Sequence, residues 1–139
     1  MRTGMLRVVA DTNVLVSAII AKGNEYLLLK EAKLGRIRLV LSLQIIKELK
    51  GVLSRPKFGF SNEQVESVVK HIISISEIIV ATSIVYVVKE DPSDNKIIEA
   101  AMDGKAGYIA SGDKDLLRLQ KFRNIKIIHA AAFLRLISQ

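Results

Sequence analysis

The sequence predicts an α/β fold in which a parallel sheet is covered by helices on both faces. Short apolar runs, of the kind found in fully buried strands, alternate along the chain with helical segments that begin and end at capping residues. The chain has 139 residues, of which 50% are hydrophobic and 25% are charged. This size and composition predict one domain, residues 1–139, with a sizeable core.

Five runs rich in β-branched and other apolar residues predict the strands. In chain order they cover residues 6–10, 37–41, 84–88, 108–111 and 125–128. The run at 84–88 lies within a longer apolar stretch that shows no clear periodicity, so its strand rests on β-propensity alone.

Helices are predicted between these strands from apolar spacing and capping residues. In chain order they cover residues 14–20, 25–34, 45–53, 63–74, 92–103, 113–119 and 130–137. Side chains suited to opening a helix are Thr12 or Asn13, Ser42, Ser61 with Gln64 as a capping box, and Asp91 followed by Pro92. Residues suited to ending one are Gly23, Gly35, the pair Arg55-Pro56, and Gly104.

The charge balance is basic, with 21 Lys and Arg against 14 Asp and Glu, and a formal net charge of +7. A basic protein surface suits a polyanion such as nucleic acid. Because the basic residues are spread along the chain, their charge suits ordinary solvation of the surface equally well.

Composition also predicts a cytoplasmic protein that does not enter a membrane. No segment approaches the roughly 18 consecutive apolar residues of a membrane span. The first residues, MRTGMLRVVADTN, lack the apolar region of a signal peptide. The absence of cysteine excludes disulfides and thiolate metal sites, and it fits a reducing compartment.

Two aspartates follow predicted strands. Asp11 comes directly after the first strand, and Asp113 follows the strand at 108–111. Ligands of open parallel α/β sheets bind beyond the carboxyl ends of the strands. Aspartate is also common in turns and helix caps, but two aspartates at one edge favour a binding site.

Two more acids lie on predicted helices. Asp94 falls in the angular sector of Ile97, Ile98 and Ala101, the apolar face of its helix. An ionised carboxylate that faces a core needs a partner, although Asp94 also suits the first turn of the helix and its dipole. Glu48 sits at the edge of an apolar stripe and, by itself, suits a solvated surface residue.

Carboxylates packed together repel one another unless a cation lies between them. Oxygen ligands suit Mg²⁺ or Mn²⁺, whereas His71 and His129 are far apart and lack the ligand spacing of a zinc site. The sequence therefore predicts a Mg²⁺ or Mn²⁺ site of the kind that hydrolyses phosphodiesters. For Asp91 and Asp115, helix capping is the simpler role.

The acids Asp11, Glu48, Asp94 and Asp113 stand within four recognisable segments that together span nearly the whole chain. These segments are DTNVLVS from Asp11, the helix that carries Glu48 and runs to Arg55-Pro56-Lys57-Phe58, DPSDNKI from Asp91, and SGDKDLL from Ser111. In this combination the chain resembles the PIN-domain family of ribonucleases, and most of all its branch of predicted toxin–antitoxin toxins, the VapC-like proteins.

The resemblance implies a three-layer α/β/α sandwich with a mainly parallel sheet of about five strands. It implies that Asp11, Glu48, Asp94 and Asp113 are catalytic and bind Mg²⁺ or Mn²⁺, in an enzyme that cleaves RNA internally. It further implies a homodimer and an antitoxin partner. Residues expected to support the ligands or orient the attacking water are Asn13, Ser111, Asp91 and Asp115.

Three basic residues lie in or beside the acidic segments, and we expect them to contact RNA phosphates. They are Lys96, Lys114 and Arg118. Surface solvation, or pairing with neighbouring acids, is the simpler role for each.

Other protein classes share parts of this pattern. A haloacid-dehalogenase-like phosphatase also has Asp after its first strand and a later Gly-Asp pair, but it expects a second acid where Asn13 stands. A non-catalytic RNA-binding module of the same fold would not need all four acids. A receiver domain needs paired acids at the end of its first strand, and this chain lacks that pair. Nucleotide binding of the Walker type is excluded because the sequence has no Walker phosphate-binding motif.

Overall fold

The computed structural model describes residues 5–138, and it contains a three-layer α/β/α sandwich built on one mainly parallel sheet. The strands are β1 (Arg7–Ala10), β2 (Arg38–Ser42), β3 (Ser76–Ile79), β4 (Tyr108–Ala110), β5 (Lys121–Phe122) and β6 (Ile125–Ile128). Their order across the sheet is β3-β2-β1-β4-β6-β5. Every pair is parallel except β5 with β6, which is antiparallel.

The helices connect these strands and begin close to the predicted positions. They are α1 (Thr12–Ile20), α2 (Asn24–Lys33), α3 (Leu43–Leu53), α4 (Asn62–Ser74), α5 (Asn95–Asp103), α6 (Lys114–Leu119) and α7 (Ala130–Ile137). Short 3₁₀ turns cover Pro56–Phe58 and Pro92–Asp94. None of the helices in the described part of the chain has the length and apolar character needed to cross a membrane.

Local capping chemistry explains where most helices begin. Ser42 accepts a hydrogen bond from the backbone N–H of Ile45, as predicted. The capping box of Ser61 and Gln64 has both of its reciprocal hydrogen bonds. The prediction of Thr12 or Asn13 as the first cap was wrong, because the N-cap of α1 is Asp11. The acid that ends β1 therefore also opens the next helix.

One strand of the predicted sheet was misplaced. The third strand covers Ser76–Ile79, and residues 84–88 form no strand ladder with the other described strands. The sheet of about five strands is confirmed, and the described residues form a sixth, β5, which adds two residues at the edge. A pairing of two residues is too short to leave a periodic pattern in the sequence.

Residues 80–88, which we call the strap, have no regular secondary structure and lie along α5. Three polar side chains of α5, spaced four residues apart, accept the N–H groups of the strap. Asp103 accepts from Thr82 and Ser83, Glu99 accepts from Val85, and Asn95 accepts from Val87 and Val88. The β-propensity of these residues thus does not produce a strand, because side chains of a helix accept hydrogen bonds from their N–H groups.

The core surrounds the interior strands of the sheet, which include β1 and β2. Val8, Val9 and Ala10 of β1 are completely buried, as are Leu39 and Val40 of β2. Strands in the middle of a parallel sheet are covered on both faces, which explains why their apolar residues are consecutive rather than alternating with polar ones.

The end of α5 packs directly against the sheet at Gly104. A Cβ atom at this position would lie 2.5 Å from Cγ1 of Val40 and 2.8 Å from the carbonyl oxygen of Ala100. The backbone carbonyl oxygen of Gly104 itself accepts two hydrogen bonds from the guanidinium of Arg7, at 3.1 and 2.7 Å. The absence of a side chain is what lets the helix end approach β2.

We predict opposite effects for the same substitution at two helical glycines. Gly104→Ala is expected to destabilise the protein by about 1–3 kcal/mol, because the new methyl group overpacks the core. Gly51→Ala, in α3 with nothing within 4 Å of the new Cβ, is expected to stabilise it by about 0.5–1 kcal/mol through helix propensity. Urea unfolding of both variants measures the two changes, and equal signs would contradict the packing described at Gly104.

Candidate active site

Two neighbouring strands bring the first two acids to one edge of the sheet. β1 and β4 are parallel and in register, with Ala10 opposite Ala110. The backbone N–H of Asp11 continues this ladder and donates to the carbonyl oxygen of Ala110 at 3.2 Å. Asp11 opens α1 and Asp113 opens α6, so both carboxylates lie at the carboxyl ends of these strands.

Asp11 is 4% exposed and is held by two neutral donors. Its Oδ1 accepts the N–H of Val14 at 2.8 Å, and its Oδ2 accepts the hydroxyl of Ser111. The Ser111 oxygen in turn accepts the N–H of Asp113 at 2.9 Å. A single buried hydroxyl thus connects the two acids and fixes the orientation of Asp11.

Asp113 is held in a similar way by the helix that it opens. Its Oδ1 accepts the N–H groups of Asp115 and Leu116, at 2.7 and 3.3 Å. These donors are the otherwise unpaired amides of the first turn of α6. The capping bonds occupy one oxygen of the carboxylate, while Asp113 also lines the cleft.

Asp94 ends the 3₁₀ turn before α5 and is 7% exposed. Its Oδ2 is buried and has no hydrogen-bond partner among the described residues. One carboxylate oxygen from each of Asp91, Asp94 and Asp113 lies within 4.8 Å of the other two. Asp94 is buried and the other two acids are half-buried, and carboxylates this close to one another are the arrangement that a cation stabilises.

Glu48 reaches the same place from α3. Its side chain accepts the hydroxyl of Thr12 at 2.9 Å, which ties α3 to the start of α1. Sequence reasoning considered Thr12 only as a helix cap and therefore missed this role. It also missed Ser93, whose N–H and hydroxyl donate to Asp91 at 3.2 and 2.6 Å. The Asp-x-Ser spacing of Asp91 and Ser93 around Pro92 was the local signal for this contact.

These side chains enclose a small cleft of about 80 Å³. Its lining residues are Asp11, Thr12, Asn13, Glu48, Asp91, Ser93, Asp94, Ile97 and Asp113. Five of the nine are carboxylates, and none is basic. The four acids predicted as catalytic are therefore together, along with Asn13 and Asp91.

The remaining predicted residues lie around the cleft rather than in its lining. Ser111 is buried behind Asp11. Asp115 is 3.5 Å from Arg118, and the two form an ion pair on the outside of α6. Lys96 and Lys114 are exposed, one in the first turn of α5 and the other at the first residue of α6.

Burial and the crowding of negative charge raise the pKa values of two of these acids. The pKa of Asp94 is raised to about 7, first by burial and then by the charges of Asp113 and Asp91. Burial also raises the pKa of Asp11, against the opposing effect of its hydrogen bonds from Ser111 and Val14. Both directions show that the cleft disfavours its own full ionisation.

The residues present fit a hard divalent cation. All the charged groups are oxygen ligands, which suit Mg²⁺ or Mn²⁺. The buried and unpartnered Oδ2 of Asp94 is the observation that most needs such an ion. A larger cleft of about 500 Å³ lies between α1, α2 and α4, but its lining is mainly apolar and includes no carboxylate. It therefore lacks the groups that this chemistry requires.

Comparisons with known proteins agree with this architecture. The family model described as PIN domain matches residues 7–115, which include β1 and all five cleft carboxylates. The crystal structure of VapBC2 from Rickettsia felis bound to a DNA fragment from their promoter is similar, with a TM-score of 0.63. The match has 18% sequence identity and covers 88% of this chain and 97% of that chain. This similarity confirms the predicted α/β/α fold. No curated protein matches the sequence.

The raised pKa of Asp94 predicts how stability changes with pH in the metal-free protein. An Asp with an ordinary pKa near 3.8 in the unfolded chain and about 7 in the folded protein favours folding fully below pH 3.8. That contribution is lost as pH rises through 7, since the folded state must then hold the charge. In the presence of a chelator, Asp94→Asn is expected to be more stable than the parent at pH 8 by about 1–3 kcal/mol.

The same variant should show almost no difference from the parent at pH 4. Thermal or urea unfolding across pH 4 to 8 measures both values. Glu90→Gln, which removes an exposed carboxylate two positions before the 3₁₀ turn begins, should change stability little at either pH. A pH-independent effect of Asp94→Asn would contradict the described crowding.

Proposed function

The chain belongs to the PIN-domain family, and from that premise we propose that it is a metal-dependent endoribonuclease and the toxin of a toxin–antitoxin pair. The observation that carries the proposal is the cleft of five carboxylates. Among the residues that the structure describes, no basic side chain lines this cleft, and a buried oxygen of Asp94 has no hydrogen-bond partner. Such a site suits hydrolysis of a phosphodiester better than binding alone, because a binding surface has no need of crowded acids.

In this proposal Asp11, Glu48, Asp94 and Asp113 hold Mg²⁺ or Mn²⁺ and are the catalytic acids. The bound ion would polarise the phosphodiester, lower the pKa of a water and stabilise the departing oxygen. Hydrogen bonds to Asp11 from Val14 and Ser111, and to Glu48 from Thr12, would keep these carboxylates oriented without neutralising them.

Neighbouring polar residues would support this work in different ways. Ser111 would orient Asp11, because its hydroxyl donates to that carboxylate and accepts from the N–H of Asp113. Asn13 is exposed and lines the cleft, which suits its amide to orienting water or substrate. Asp115 would act further out, on the rim, where it pairs with Arg118.

RNA is the substrate that we propose, and its phosphates would be attracted by the net charge of +7. Lys114 directly follows the cleft residue Asp113, and Lys96 lies two residues after Asp94. Both are exposed, so both are suited to contacting the backbone of a bound strand. Arg118 is less available because it pairs with Asp115.

An antitoxin partner and a homodimer belong to the same proposal. The similar solved structure is of VapBC2 bound to a DNA fragment from their promoter, and this supports looking for a companion protein of this chain. A nuclease that acts on cellular RNA would work in the cytoplasm.

The first test is cleavage of a mixed-sequence RNA. The parent protein should cleave it with Mn²⁺ or Mg²⁺ and not with a chelator, and Asp94→Asn should lose activity by about a hundredfold or more. Glu48→Gln should also lose activity, whereas Glu66→Gln, which removes an exposed carboxylate from the neighbouring α4, should retain it. Hydrolysis of para-nitrophenyl phosphate without RNA cleavage would instead indicate a phosphatase.

A second test concerns the basic rim. Lys114→Ala should weaken RNA binding and reduce the slope of log K against log salt by about 0.7, the value for one lost contact with a single-stranded phosphate. Lys22→Ala changes the same charge just beyond the far end of α1 and should leave the slope unchanged. Fluorescence anisotropy with the inactive Asp94→Asn protein measures both slopes, and equal slopes would remove Lys114 from the proposed interface.

A further inference from the structure

We propose that the amino edge of the sheet, where the parallel strands begin, is a second contact surface for RNA. Its phosphates would be bound by four residues that we call the amino-edge cluster, namely Lys105, Lys121, Arg123 and Lys126. The inference goes beyond the proposed function because it concerns none of the cleft residues. It rests on that function only for the choice of RNA as the polyanion.

The two edges of the sheet carry opposite charge. The five carboxylates of the cleft lie at the carboxyl edge. The segments at the amino edge are residues 5–7, 34–38, 75–77, 104–108 and 121–126, and they contain seven basic side chains and one acid, Glu77. These basic residues are spread along the sequence, but the parallel sheet collects them at one edge.

Ion pairs do not neutralise the amino-edge cluster. Arg7 pairs with Glu77 at 2.8 Å, and Arg36 pairs with Glu31 at 3.1 Å. Among residues 5–138, none of the ion pairs includes a member of the cluster. All four members are exposed, so their positive charge is open to a ligand from solution.

Strand pairing places like charges together within the cluster. Lys121 and Lys126 are directly opposite each other in the antiparallel pair of β5 and β6. Cβ atoms of such a pair are about 4.5–5.5 Å apart, and like charges there are destabilising. The N–H of Lys126 also donates to the carbonyl oxygen of Gly107 at 3.0 Å, which brings the loop of Lys105 beside this hairpin. An anion bound between these ammonium groups would offset their repulsion.

The backbone is strained at two members of the cluster. Arg123, in the turn between β5 and β6, has a φ of 55°, and Lys105 has a φ of 56°. Glycine adopts this left-handed conformation readily, whereas a residue with a Cβ atom is disfavoured there. Such conformations concentrate at binding sites. A cationic side chain thus occupies each of two positions that glycine would fill with less strain.

The chemistry of this surface fits nucleic acid better than a membrane. The guanidinium of Arg123 lies over the ring of Phe122, 5.1 Å from its centroid, and it offers a plane on which a base can stack. Between residues 104 and 126 no large hydrophobic side chain is exposed. Binding to a lipid surface depends on apolar side chains that enter it.

The cluster lies within reach of an RNA strand that occupies the cleft. Val8, Tyr108 and Lys126 stand at one level across β1, β4 and β6. Asp11 is three residues beyond Val8, which is about 10 Å along the strand. This separation exceeds the Debye length of about 8 Å at physiological salt, so the cluster leaves the charge of the cleft largely uncompensated. A strand of several nucleotides would contact both edges.

The test is the salt dependence of RNA binding, measured by fluorescence anisotropy with a chelator present. The probe is a labelled single-stranded RNA of about 20 nucleotides, longer than a typical single-strand site. The double variant Lys121→Gln with Lys126→Gln should reduce the slope of log K against log salt by about 1.4, the value for two lost phosphate contacts. The matched control, Lys57→Gln with Lys70→Gln, removes two exposed lysines next to and on α4, which leads into β3 at the other end of the sheet. It should leave the slope unchanged.

Arg123→Gly separates binding from stability. It should weaken RNA binding at low salt by about fivefold, while the midpoint of thermal unfolding stays the same or rises, because glycine relieves the strained backbone. The double variant should also keep or raise this midpoint, since it removes a like-charge pair. Unchanged RNA binding in both variants would overturn the inference. A slope that changes on duplex DNA or on anionic lipid vesicles but not on RNA would overturn it as well.

The outcomes separate this inference from the proposed function. Metal-dependent RNA cleavage by the parent protein, with equal slopes for the parent and the double variant, would overturn the second surface and leave the nuclease intact. No cleavage by the parent, with a reduced slope in the double variant, would support the surface and overturn the nuclease.

Discussion

Repulsion among the five cleft carboxylates is the interaction on which the arrangement of this protein depends. Among residues 5–138, no basic side chain lines the cleft to offset it. Instead, the fold supplies neutral donors to four of these carboxylates. The donors are the backbone amides of Val14, Asp115 and Leu116, and the hydroxyls of Thr12, Ser93 and Ser111. Neutral donors orient a carboxylate while leaving its negative charge in place.

The result is a site that is rigid but electrostatically incomplete. A lysine or arginine in the same place would have stabilised the folded protein and removed its attraction for a cation. The raised pKa of Asp94 has the same origin, because its buried negative charge is not compensated and the carboxylate therefore takes up a proton more readily when no ion is bound. Stability without metal and affinity for metal are therefore opposed at this one residue.

Helix α5 connects the core to the site and is held at both ends. Its far end is fixed where Gly104 packs on Val40 and accepts hydrogen bonds from Arg7. At its near end, the buried Asn95 bonds to the backbone of Val87 and Val88, and it also donates to the carbonyl oxygen of Pro92 at 3.2 Å. The turn that carries Asp91 and Asp94 is thus anchored to a helix that is fixed along its whole length.

The sequence by itself determined the features that depend on neighbours a few residues away. These include the alternation of strands and helices, the caps at Ser42 and at Ser61 with Gln64, and the end of α5 at Gly104. It also pointed to Asp11, Glu48, Asp94 and Asp113, whose roles remain predictions. Capping and periodicity are local properties, so they can be read from a single segment.

Only the tertiary structure decided which partners the segments meet. The strap has the β-propensity of a strand, but α5 offers acceptors at Asn95, Glu99 and Asp103, and no strand pairs with it. Asp91 and Thr12 read as local caps, yet both line the cleft. Their convergence depends on the pairing of β1 with β4 and on the position of α5, which are contacts between residues far apart in the chain.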